Sequence, residues 1–208
     1  PITGPEVSSL RRVAHEYDVD LAFGFAERTA NGTVYNSMAY VDHSGQIVHT
    51  YHKVHLWDTE RLWAEAGDGF TAFDTAYARC GMWICYDTRF PEAARLLAID
   101  GAALGLAATA WLGPADEWEL AVRARAVDNG MYNSPLPLNV LLRDFAFHGG
   151  SLIVDPHGHI LARAGEGSTE VITAEYDEQV LKAFRHRLPL LEHRRLDAYE
   201  PLLHRAHW

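Results

Sequence analysis

The run from Trp83 to Glu92 reads WICYDTRFPE: an apolar stretch ends on a cysteine, Tyr-Asp follows, and Phe90-Pro91 breaks the chain. Pro91 suits the first position of a helix. A thiol at such a junction feels the amides of a helix start, which favour the thiolate, and is exposed at the edge of a sheet. Those are the conditions a nucleophile needs. From position alone, however, the commoner setting of a free cysteine is a buried structural thiol, so Cys85 keeps both readings at this point.

Lysine is scarce. Of the 18 basic residues only Lys53 and Lys182 carry a primary ammonium. Lys53 ends an alternating run in YHKVHLW, where it can hold an oxyanion or keep a neighbouring thiol ionised. The plainer reading is a charge snorkelling off a strand end. Glu60, in DTERLW, can orient that ammonium through an ion pair or be an ordinary solvated carboxylate. His52 with His55, and His157 with His159, are spaced like ligand pairs, but neither has a Cys or carboxylate at a recognised metal spacing, so no metal is assigned. The pairs GDG (67–69), GG (149–150) and GEG (165–167) match neither a dinucleotide fingerprint nor a phosphate loop and read as turns.

The elements that must position these residues follow from periodicity. Val7, Leu10, Val13, Ala14 and Tyr17 recur at helical spacing over 5–17. Three β-rich runs, 21–27, 34–42 and 46–53, are separated by turn residues and predict an antiparallel meander. Residues 55–69 lack a clean period and predict a long loop with a helical turn. Beyond it strands and helices alternate: strands at FTAFDT, RCGMWIC and ALGLAAT, helices over 91–100 and 115–130. A hairpin follows around Pro156-His157-Gly158, then a strand at TEVITAEYD and a Pro-punctuated tail from Glu178. The whole reads as one α/β domain over 1–208 with mixed sheets.

The chain has 208 residues, 48% hydrophobic and 22% charged, enough for a sizeable core. No apolar run reaches the roughly 20 residues needed to span a bilayer, and the start has no signal-peptide pattern. These features predict a soluble, cytoplasmic protein. A net charge of −10 offers no basic face for nucleic acid and leaves small molecules as the expected ligands. Cys80 and Cys85 lie too close along one strand to pair readily, which predicts free thiols in a reducing compartment. The first residue is Pro and all three Met are internal, at 38, 82 and 131, which predicts a fragment or a processed form.

Taken together, four runs resemble the nitrilase superfamily of carbon-nitrogen hydrolases, in order and in spacing. They are GFAERTANGTVYNSMAYVDHSGQIVHTYHKVHLWDTERLWAEAGDG, GMWICYDTRFPE, WELAVRARAVDNG and FHGGSLIVDPHGHILARAG. The pairing of YHKVHL with ICYDTRFPE about thirty residues later is the specific part. The resemblance implies a four-layer α-β-β-α sandwich that forms a homodimer or higher homo-oligomer. It places the family's catalytic cysteine and lysine on Cys85 and Lys53, and the lysine-supporting glutamate on Glu60. It also places an oxyanion-hole amide on Tyr86 and a pocket-lining position on Trp111. The implied reaction is hydrolysis of a small amide or N-carbamoyl substrate through a cysteine thioester, with no metal or organic cofactor.

Two departures accompany it. The family's first catalytic glutamate belongs to a strand-helix-strand segment that would precede the opening helix, and Glu6, Glu16 and Glu27 do not fit that role. The expectation is therefore an N-terminally shortened chain, weak in activity as it stands, with a non-catalytic binding or assembly subunit as the alternative. Pro135 and Pro137 also fall where the family has an apolar strand; neither can donate a ladder hydrogen bond, so a reshaped pocket wall is expected.

Overall fold

Pro5 starts the first helix, α1 (Pro5–Tyr17), and Asp18 stops it in the left-handed region at φ 53°. In this computed structural model, which describes residues 1–137, 139–142, 145–165 and 169–204, the meander follows as expected. Strands β1 (Leu21–Arg28), β2 (Val34–Val41) and β3 (Ile47–His52) pair antiparallel in chain order. The long loop after β3 carries one 3₁₀ turn, Asp58–Leu62.

The second sheet takes its strands from the alternating half. They are β4 (Phe73–Asp74), β5 (Arg79–Ile84), β6 (Leu104–Thr109), β7 (Tyr132–Pro137), β10 (Leu152–Val154) and β11 (Ile160–Arg163), in spatial order β11-β10-β7-β6-β5-β4. Its centre, β5-β6-β7, is parallel, joined by the crossover helices α2 (Pro91–Ile99) and α3 (Ala115–Asn129). Parallel neighbours require such crossovers, and a sheet covered on both faces reads as near-continuous apolar runs, which is how RCGMWIC and ALGLAAT read. A separate hairpin pairs β8 (Asn139–Leu142) with β9 (Phe145–His148).

The two sheets face one another. Met38, Tyr40 and Tyr51 of the first share a buried cluster with Met82 and Ile84 of the second, while Trp83, Ala94 and Leu97 extend the cluster to the helix side. Helices α2 and α3 pack on the far face of the six-stranded sheet. With α1 tied to the β2–β3 turn by Arg11 Nε donating to Gly45 O at 2.7 Å, the order of layers is α-β-β-α. Packing is tight at the sheet-helix boundary: a Cβ on Gly105 would lie 2.4 Å from the Trp83 ring, so only glycine fits there.

Two expectations need correction. TEVITAEYD is not a strand: the described residues 169–177 take no sheet pairing, and Val171 is 90% exposed. Its alternation finds no partner among the described pairings, and pattern without a partner does not make a strand. FTAFDT shortens to the two residues of β4, because the chain turns at once through Thr75 and Ala78. Pro135 and Pro137 do lie in a strand, β7, paired to β6. The prolines are tolerated because β10 meets β7 only at Asn133, so past that residue β7 has one neighbour among the described pairings. Whether side chains from 136 to 148 shape a pocket wall lies outside the described residues.

From Glu178 the chain forms α4 (Glu178–Arg187), capped by the Asp177 carboxylate accepting from Gln179 N. Arg185 then donates to Gly130 O at 2.8 Å and Ala102 O at 2.6 Å, fastening the tail to the body. The last described helix is α5 (Pro201–His204). No helix among the described residues is long and apolar enough to cross a membrane.

Candidate active site

Strand β5 does not run smoothly into α2. It ends at Ile84, and Cys85 opens a 3₁₀ turn, Cys85–Arg89, with φ 46°. A non-glycine residue in the left-handed region costs on the order of 1–3 kcal/mol and persists only where its surroundings impose it. Here they do. Thr88, three residues on, is buried: its hydroxyl accepts from Trp83 Nε1 at 3.0 Å and its carbonyl accepts from Arg125 Nε of α3 at 3.0 Å. The half-buried Cys85 thiol donates to Ala110 O at 3.5 Å. Cys80, on the same strand, is buried, and burial pushes its thiol up to about 11.

Lys53 follows β3 directly. Its backbone is held on both sides, by Lys53 N donating to Asn36 O and Gly67 N donating to Lys53 O, each at 2.9 Å. Its side chain is only 1% exposed. A buried ammonium needs a partner, and Nζ donates to Glu60 Oε2 at 2.6 Å. Glu60 is filled by two further donors: Trp57 N at 2.7 Å on the same oxygen and Asn36 Nδ2 at 2.9 Å on the other. The loop that delivers Glu60 lies close against β3, since a Cβ on Gly67 would stand 2.1 Å from His52 O.

Lys53, Glu60, Asn36 and Cys85 line one cavity of about 620 Å³, with Phe25, Trp57, Ile84 and Leu112 among its apolar walls. Tyr86 and Trp111 line a smaller adjoining space of about 50 Å³ with Cys85 and Arg89. There the Arg89 guanidinium lies 4.4 Å over the Trp111 ring and pairs with Glu117. The five residues singled out in the sequence therefore gather around Cys85. Glu6, Glu16 and Glu27 do not line the cavity: the first two are exposed on α1, and Glu27 is buried where it accepts from Ser37 Oγ at 2.8 Å and meets His52 Nε2 at 3.0 Å.

Of the two histidine pairs, His52 and His55 turn to different partners, whereas the His157 and His159 rings stay stacked at 5.7 Å. His52 goes to Glu27, His55 to Asp87 and His159 to Asp155, and among the described residues no group of three or more His, Cys, Asp or Glu gathers as metal ligands would. Asn36 and Asp87 were missed in the sequence. A polar amide inside the apolar run VYNSMAY is the signal that marks Asn36, because Asn is depleted from strands unless its side chain has a task.

Two facing sheets with outer helices, and a buried Lys-Glu pair sharing a cavity with a strand-end cysteine, give the α-β-β-α sandwich of the nitrilase superfamily. The carbon-nitrogen hydrolase family model matches residues 1–186. The omega-amidase NIT3 of Saccharomyces cerevisiae is 36% identical over 93% of this chain and 71% of its own. Among solved structures, a carbon-nitrogen hydrolase from Helicobacter pylori G27 superposes with a TM-score of 0.89 at 28% identity, covering 96% of this chain and 76% of that one. Saccharomyces cerevisiae Nit3, described as a member of branch 10 of the nitrilase superfamily, gives 0.83 at 35% identity over 91% and 71%. The chain belongs to the carbon-nitrogen hydrolase family, and its general chemistry is hydrolysis of amide-type carbon-nitrogen bonds.

Proposed function

We propose that the protein hydrolyses the terminal amide or N-carbamoyl group of a small molecule through a thioester on Cys85. The observation that carries this reading is the shared cavity: a thiol on a strained turn opens onto the same space as a buried ammonium whose side-chain partner among the described residues is Glu60. The Cys85 sulfur attacks the carbonyl carbon, and the C=O electron pair moves onto oxygen. The Lys53 ammonium and the Tyr86 amide hold that oxyanion. Collapse breaks the C–N bond, and the leaving nitrogen departs as ammonia or an amine with the proton that a general base has taken from the thiol, the part the resemblance gives to the family's first catalytic glutamate, not found among the described cavity-lining residues. Water then attacks the thioester, releasing the acid and restoring the thiol.

Glu60 has both oxygens occupied by Lys53, Trp57 N and Asn36, so its role in this scheme is to fix the ammonium rather than to shuttle protons. The walls of the cavity are mostly apolar, which suits a short acyl chain carrying one reactive polar end. The omega-amidase name of the yeast relative agrees with a terminal amide.

The test is direct. Incubation with short aliphatic amides and N-carbamoyl amines should release ammonia or amine and leave a hydroxylamine-sensitive acyl mass on the peptide containing Cys85. Iodoacetamide at pH 7 should label Cys85 well ahead of Cys80, whose thiol stays protonated far above that pH. Equal, slow labelling of the folded protein together with no acyl adduct would remove Cys85 from the mechanism.

A homodimer completes the proposal. Leu96 and Ile99 of α2 and Leu120 and Val127 of α3 are left exposed on the outer helical layer, a face that a second copy would cover. Sedimentation equilibrium should give twice the mass of the 23.3 kDa chain, and charged residues at 96 and 120 should return it to monomer. A monomer at micromolar concentration before substitution would count against it.

A further inference from the structure

Asp87 lies two residues beyond Cys85 and is fully buried. A carboxylate removed from water is costly unless its lone pairs are filled, and this one is filled four times. Oδ2 accepts from Tyr51 Oη at 2.6 Å and from Ile84 N at 3.0 Å. Oδ1 accepts from His55 N at 2.9 Å and from His55 Nδ1 at 2.8 Å. The donors sort into two sets. Ile84 N belongs to the residue just before Cys85, whereas Tyr51 and His55 stand two residues before and two residues after Lys53.

We infer that Asp87 is a positioning residue, a buried clamp that fixes the Cys85 turn against the Lys53 segment so that thiol and ammonium face the same cavity. The inference rests on the assignment of Cys85 and Lys53 given above and adds the group that sets their mutual placement. Nothing else among the described side-chain bonds joins the two segments so directly: Glu60 binds the lysine side chain but makes no bond to the Cys85 turn. The clamp is braced. Tyr51 Oη accepts from Val54 N at 3.2 Å, closing the chain around Lys53, and the His55 ring stacks on Phe90 at 3.7 Å with an interplanar angle of 5°. Burial and the adjoining carboxylate hold the Tyr51 hydroxyl well above the ordinary tyrosine range, so it remains a donor at any working pH. On the nucleophile side Phe90 N donates to Asp87 O at 3.0 Å, so the same residue also closes the 3₁₀ turn that Cys85 opens.

Asparagine cannot replace this carboxylate. Each oxygen faces two donors, and an amide would turn its own NH₂ toward one of those pairs. The clamp and a bystander charge then predict opposite signs. If Asp87 were only a buried negative charge near the thiol, neutralising it would favour the thiolate and speed alkylation of Cys85. If Asp87 holds Lys53 in place, Asp87→Asn lets the ammonium withdraw and alkylation slows.

The experiment measures iodoacetamide labelling of Cys85 and Cys80 by peptide mass spectrometry at pH 7 and pH 9.5, in the unsubstituted chain, Lys53→Ala, Asp87→Asn and Tyr51→Phe. The expected result is that Lys53→Ala and Asp87→Asn each slow Cys85 at pH 7 by about 10-fold, because the cation that favours the thiolate is lost or displaced. The rates should converge at pH 9.5, and Cys80 should stay unreactive, which separates lost positioning from lost folding. Slowing by Lys53→Ala with unchanged or faster labelling in Asp87→Asn overturns the clamp and leaves the proposed function standing. No slowing by Lys53→Ala defeats the Cys85–Lys53 reading and the clamp with it. Should Asp87→Asn unfold, seen as labelling of Cys80, Tyr51→Phe removes one of the four donors and is expected to slow Cys85 by about threefold at pH 7. A Tyr51→Phe rate equal to the unsubstituted one then overturns the clamp.

Discussion

Cys85→Ala is expected to abolish amide turnover, by about 10⁴-fold or more, because the nucleophile of a covalent mechanism has no substitute in the cavity. Stability should hardly change. The thiol is half-buried and its one polar contact among the described residues is the weak bond to Ala110 O, so little packing is lost on truncation. The left-handed φ of 46° adds a second, sharper expectation. Alanine inherits the backbone strain and glycine does not, so Cys85→Gly should be at least as stable as Cys85→Ala while being as inactive. Thermal unfolding of the two variants, beside ammonia release and the mass of the acyl adduct, checks both halves. Residual turnover within tenfold of the unsubstituted protein would place the nucleophile elsewhere, and a glycine variant markedly less stable than the alanine one would deny that position 85 is held in strain.

Lys53→Ala is expected to cost at least about 100-fold in kcat, the usual loss when one oxyanion donor is removed. Part of that loss is indirect. Glu60 would keep Trp57 N and Asn36 Nδ2 but lose its cation, leaving a partly buried carboxylate facing the cavity where an oxyanion must form. Like charge there opposes the transition state. Lys53→Ala/Glu60→Gln should therefore recover some of the rate lost by Lys53→Ala alone, a coupling that independent residues would not show. Steady-state kinetics of the two single variants and the double variant measure it. Near-normal turnover of Lys53→Ala removes the lysine from the mechanism.

Local pattern carried most of the fold. The bounds of α1, the three meander strands, α2, α3 and the β10–β11 hairpin came out within a residue or two of the sequence reading, because proline, glycine and other turn residues mark where each begins or ends. The failures share one cause. TEVITAEYD alternates like a strand but has no partner among the described pairings, and FTAFDT keeps only the two residues that meet β5. Strand formation is settled by a partner, which local sequence does not contain.

The site divides in the same way. Sequence by itself determined which residue types were available and the family they point to: a cysteine before a turn and a proline, one lysine at a strand end, and a glutamate seven residues after it. It also showed the prolines of MYNSPLP, though not that β7 tolerates them where β10 stops at Asn133. What only the tertiary structure decided is the placement. Two sheets brought face to face put Lys53 of one beside the Cys85 turn of the other. Burial then turned Glu60 from a surface carboxylate into an obligatory partner, and left Asp87, one letter in WICYDTRFPE, as the acceptor of donors from both segments. Ion pairs and hydrogen bonds gain their worth from desolvation, and desolvation is a property of the packed molecule rather than of the chain.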